Sequence, residues 1–109
     1  MSPTQQLQER ALARAAKHCA DVDLLHLHER AIAEMADSAH GAEIRARALV
    51  TIALWEKSQL CNTRYIDAWR AILTLPLAGL TDAVLRADDE GLALRQNTPF
   101  GFLLRNQAA

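Results

Sequence analysis

Alanine and leucine fill 21 and 17 of the 109 positions, whereas valine and isoleucine together fill 8. That imbalance constrains the fold more than any motif does. Alanine and leucine lose little conformational freedom in a helix, and strands draw on β-branched and aromatic residues. No stretch alternates apolar and polar residues with a period of two, so no sheet is expected. The chain is sized for one domain, residues 1–109. The expected class is all-α, a bundle of five to six short helices.

Punctuation along the chain sets the expected boundaries. A first helix spans about residues 3–19, with Ser2 as N-cap and Pro3 in the first turn. Its apolar side consists of small residues, Ala11, Ala15, Ala16 and Cys19 around Leu12, and so buries little area. A second helix spans about 22–38, capped by Asp21 or Asp23, with Leu24, Leu25, Leu27, Ala31, Ile32, Met35 and Ala36 in a wide apolar arc. The third, about 42–60, is apolar nearly all round between Leu49 and Trp55. Such a helix is expected to be central and covered on several sides. The fourth, 63–73, carries Tyr65, Ile66, Trp69, Ile72 and Leu73 on one side and Arg64, Asp67 and Arg70 on the other, with Asn62 as cap. Pro76 opens a fifth helix to about Ala87, and Asp88 caps a short one through Arg95. Thr98-Pro99 reads as a further helix start.

Charge narrows the function. Twelve basic and thirteen acidic residues give a net charge of −1. Residues 1–54 hold 6 basic and 7 acidic residues, and residues 55–109 hold 6 and 6. Duplex-binding domains draw affinity from neutralising phosphates and usually show a basic excess. Nucleic acid is therefore an unlikely partner. The competing arrangement is a helix-turn-helix-like pair, 42–60 with 63–73, using Arg64 and Arg70. Its link lacks a glycine, and Asp67 would face phosphates. No apolar run approaches the roughly 20 residues of a membrane span, and no basic segment followed by an apolar core opens the chain. The cytoplasm is the expected compartment. Cys19 and Cys61 make no disulfide framework and are expected to be unpaired.

Chemistry-bearing patterns are sparse. His26 and His28 diverge on a helix and cannot share one ion. His28 has no second histidine four residues on, so the metalloprotease spacing is missing. Gly-x-Ser-x-Gly and phosphate-cradling loops are also missing. Asp88-Asp89-Glu90 fits a helix N-terminus better than a cation loop, because carboxylates there suit the helix dipole. Cys61, just before a helix start, could be activated by that dipole or could simply fill a small site. No cofactor, metal or catalytic residue is assigned.

The expected function is non-enzymatic: a small interaction or regulatory protein, homodimeric, acting on a protein partner or itself through helical and C-terminal apolar surfaces. Both phenylalanines of the chain sit in the last segment, which either folds back to close the core or presents an apolar patch; in the second case Phe100, Phe102, Leu103 and Leu104 are the candidate partner contacts. His28 lies within an apolar arc and is expected to be a hydrogen-bonded core or interface histidine; at an interface it joins the partner contacts, and its charge change near neutral pH would modulate assembly. A weaker reading places His28 and Tyr65 beside a ligand pocket.

Overall fold

The computed structural model describes residues 3–107, with side chains through 104. Six helices follow one another: α1 (Pro3–Met35), α2 (Gly41–Ser58), α3 (Thr63–Leu73), α4 (Leu77–Val84), α5 (Asp89–Gln96) and α6 (Phe102–Gln107). There is no strand among the described residues. The all-α class is as expected, but three details differ.

First, α1 is one helix of 33 residues where two were expected. The apolar positions change phase near Ala20. Ala11, Leu12, Ala15, Ala16 and Cys19 share one side, whereas Leu24, Leu27, His28, Ala31 and Met35 centre roughly 140° away at 100° per residue. Asp21 and Asp23 resemble caps at that phase change. No glycine or proline interrupts the backbone there, so the helix runs straight on. Ser2, the expected cap, lies outside the described residues.

Second, the helix expected at the centre is not covered on all sides. α2 packs mainly on α1 and α3, whereas α1 meets α2, α4, α5 and α6. The C-terminal half of α1 is thus the spine of the bundle. Leu27, Ala31 and Met35 of α1, Ile44, Ala48 and Ile52 of α2, and Leu80 and Val84 of α4 are buried at spacings of four, one face per helix. α3 seals the other side with Ile66, Trp69, Ile72 and Leu73.

Third, Thr98-Pro99 does not begin a helix. The Thr98 hydroxyl accepts from Phe100 N at 3.1 Å, and the chain turns before α6 starts at Phe102. That local bond offers the backbone an alternative to a helical turn.

The remaining boundaries follow the expected chemistry. Asn62 Oδ1 accepts from Arg64 N at 2.9 Å and Asp88 Oδ1 from Gly91 N at 3.0 Å, capping α3 and α5. α2 ends at Gln59, which adopts φ 55° so that the Leu60 amide reaches Trp55 O at 3.0 Å. A left-handed residue closes the helix here without a glycine. Arg95 is buried and donates to the carbonyls of Val84 and Arg86 at 2.9 and 2.8 Å. One guanidinium therefore satisfies carbonyls at and just beyond the C-terminus of α4, which ends before the expected Ala87.

Two glycines respond oppositely to the same change. A Cβ at Gly41 would sit 2.3 Å from Met35 O, backbone that cannot swing aside. Gly41→Ala is expected to lose about 1–3 kcal/mol by forcing the α1–α2 turn apart. At Gly79 the nearest atoms are 3.7 Å away. Gly79→Ala is expected to gain about 0.5–1 kcal/mol from helix propensity. Urea unfolding of both variants checks the contrast; equal effects would contradict it.

Candidate interaction surfaces

The segment expected to present an apolar C-terminal patch is largely consumed by the core. Phe100 and Leu103 are 0% exposed and Phe102 7%, leaving Leu104 at 54% as the member of the set at the surface. The reason is local. The turn at Thr98 aims Phe100 inward against Trp69, ring centroids 5.7 Å apart and nearly perpendicular. Arg30 Nη1 donates to Leu103 O at 3.3 Å, tying α6 down to α1. Arg47 covers the Phe102 ring from 4.2 Å. Phe100, Phe102 and Leu103 therefore take the core-closing role, the first of the two expected for this segment, and are corrected only as partner contacts.

His28 likewise takes the core alternative and is corrected only as a partner contact. It is fully buried, stacked on Trp69 at 5.9 Å and edge-on to Phe100 at 5.7 Å. Its Nδ1 lies 2.6 Å from Leu24 O, while Nε2 has no hydrogen-bond partner among the described residues. Taking an imidazolium out of water is costly. Burial accordingly pushes the His28 pKa down to about 4, against a smaller opposing effect of the Leu24 carbonyl, and nearby Arg95 lowers it further. At neutral pH it is an uncharged aromatic core residue. Packed dry, it is not placed to meet a substrate, and Tyr65 is half-buried against the core.

Among the described residues, two helical faces stand exposed. Every residue from 3 to 20 in α1 is exposed, including Leu7 at 63% and Leu12 at 71%. These 18 residues form an overhang of about 27 Å at 1.5 Å per residue. The second face lies on α2. Leu49, Val50 and Leu54 are 38%, 61% and 56% exposed, and Ala46 and Ala53 lie beside them. Sequence reasoning missed this face by equating an apolar helix with a covered one. The signal was available: the remaining helices are short, and too few to surround an 18-residue helix.

The duplex-binding alternative places Arg64 and Arg70 on the outer side of α3. Arg70 Nη1 donates to Glu56 Oε2 at 2.6 Å and holds that carboxyl below its usual range. Arg64 Nη2 lies 3.9 Å from Glu90 Oε1. With Asp67 between them, these arginines sit in a balanced field. Cys61 lines a cleft of about 360 Å³ with Trp55, Glu56, Gln59 and Asn62. It packs half-buried against the core, while Cys19 is exposed on the overhang; both are free thiols. Among the described residues no group of three or more His, Cys, Asp or Glu side chains could hold a metal ion, and no helix is long and apolar enough to cross a membrane.

Comparison of the chain with family models, curated proteins and solved structures finds no match.

Proposed function

We propose that this protein is a small non-enzymatic interaction module, which associates through its uncovered helical faces, with a second copy of itself as the first partner. The overhang of α1 carries this reading. An isolated helix of that length is marginal in water, and most helical stability in proteins comes from packing an apolar face. Alanine propensity supports the overhang alone, yet Leu7 and Leu12 remain in water. A helical face whose leucines stay exposed among the described residues is suited to pair with another helix or enter a groove. The balanced charge around Arg64 and Arg70 gives no comparable support to duplex binding.

The test is site-specific photocrosslinking of the full chain in cells, from a photoreactive residue at position 7 or 54. A discrete protein adduct is expected. Leu12→Glu should remove the adduct formed from position 7 while changing unfolding stability by no more than about 0.5 kcal/mol, as for other surface substitutions. Absence of adducts from both positions would overturn the proposal.

A further inference from the structure

We infer that the outward face of α2 is a self-complementary surface on which two copies of this chain pair antiparallel, about a two-fold axis near Val50. This rests on the association reading above and specifies its surface, orientation and partner.

The seam is read from Glu43, Ala46, Val50, Ala53 and Lys57, all exposed and separated by three, four, three and four residues. That spacing keeps the side chains on one side of a helix and is the repeat by which paired helices interlock. Leu49 and Leu54 flank it.

The charges of α2 divide into two sets. Arg45 donates to Leu73 O at 2.7 Å, Glu56 is bound by Arg70, and Arg47 lies over Phe102. Those three are committed within the chain. Glu43 and Lys57, which close the two ends of the seam, have no ion-pair partner among the described residues. Each lies seven residues from Val50, or about 10.5 Å along the axis. A two-fold axis at Val50 therefore brings Glu43 to the level of Lys57 of the second copy, and repeats the pair at the other end. Parallel pairing would set Glu43 against Glu43 and Lys57 against Lys57.

Size complementarity gives the same register. Ala46 precedes Val50 by four residues and Leu54 follows it by four. The same axis places each Leu54 at the level of an Ala46, large against small. An isologous contact requires this kind of self-match, in which residue i meets j and j meets i. The terminal charges set orientation, while the apolar centre supplies affinity.

The test measures the mass of the full chain by sedimentation equilibrium across the micromolar range. Wild type is expected to dimerise. Val50→Asp is expected to be monomeric with an unchanged circular dichroism spectrum, since Val50 is 61% exposed and outside the core. Glu43→Lys and Lys57→Glu should each raise the dissociation constant roughly tenfold, by putting like charges at both ends. The double exchange Glu43→Lys/Lys57→Glu should return it to near wild type, an outcome specific to the antiparallel register. A monomeric wild type overturns the inference, as does a double exchange no tighter than either single one. A dimer that survives Val50→Asp but is lost in Leu12→Glu also overturns it and leaves the association reading standing on α1. If wild type is monomeric and neither position 7 nor position 54 yields a crosslinked adduct, both fail.

Discussion

Trp69→Ala is expected to unfold a large fraction of the protein at 25 °C. Trp69 is 0% exposed and is the largest of the fully buried side chains. It joins three parts of the chain. His28 of α1 stacks on it, Phe100 of the α5–α6 turn meets its ring edge-on, and its Nε1 donates to Asn97 O at 2.8 Å. Truncation of a buried tryptophan costs about 3–5 kcal/mol, and leaving the Asn97 carbonyl unpaired adds about 1 kcal/mol or more. Domains hold only about 5–15 kcal/mol in total. This chain belongs near the lower end, because residues 3–20 of α1 are all exposed and add little to the core. Trp69→Phe retains most of the packing and removes the donor, so it should cost about 1–2 kcal/mol. Urea titrations followed by far-ultraviolet circular dichroism distinguish the two variants, and half-buried Trp55 remains as a fluorescence reporter. A Trp69→Ala midpoint within about 1 kcal/mol of wild type would remove Trp69 from this joining role.

The parts of this fold that could be read from sequence are those whose information is local. α3 is the clearest case. Its apolar arc, its Asn62 cap and its polar side of Arg64, Asp67 and Arg70 are all set within a dozen residues, and the structure agrees on each, with Arg64 and Asp67 exposed and Arg70 half-buried. The Asp88 cap is equally local. The break expected at residues 20–21 shows where such reading fails. A change in the phase of an amphipathic pattern and a break in the backbone look alike in sequence. Only the latter requires a residue that destabilises the helix, and Ala20, Asp21 and Val22 do not do so strongly. The C-terminal segment shows a second limit. Whether Phe100 faces a partner or the core depends on a turn built by the Thr98 hydroxyl and on a receiving site formed by Trp69 and His28, far away in the chain. The outward face of α2 shows a third. Apolar composition states that a helix would gain from cover, not that cover exists in the same chain. The candidate surface was therefore legible as a type, an apolar helical face, and partly in position: the thinly buried first helix is exposed over residues 3–20 as its small residues imply, whereas the face of α2 was missed. Residues singled out for partner contact supply the core instead, and Val50 and Leu54 are left in water.

His28 makes the stability of this core depend on pH, in a window that its burial defines. In the folded chain its pKa is lowered to about 4, and once unfolded it returns to its ordinary value of 6.5. Above 6.5 the imidazole is neutral in both states and contributes no pH dependence. Between 6.5 and 4 the unfolded chain takes up a proton that the folded chain refuses, so stability falls as the pH drops. Below 4 both forms are protonated and the loss levels off. Integrated over that window, the shift corresponds to about 3 kcal/mol. His28→Leu keeps an apolar side chain between Trp69 and Phe100 and removes the titrating group. The Leu24 carbonyl, which His28 Nδ1 approaches, belongs to α1 and retains its place in the helical backbone ladder. At pH 7.5 the variant should lose about 1–2 kcal/mol through imperfect packing. Near pH 4.5 the order should reverse, because wild type has by then lost most of the stability linked to its histidine. Urea midpoints for both proteins from pH 7.5 to 4 would show the curves crossing. Parallel curves would mean that His28 takes up its proton within the folded core as readily as in water, which is incompatible with a ring enclosed by Trp69, Phe100 and Leu24 and with Nε2 left unpartnered.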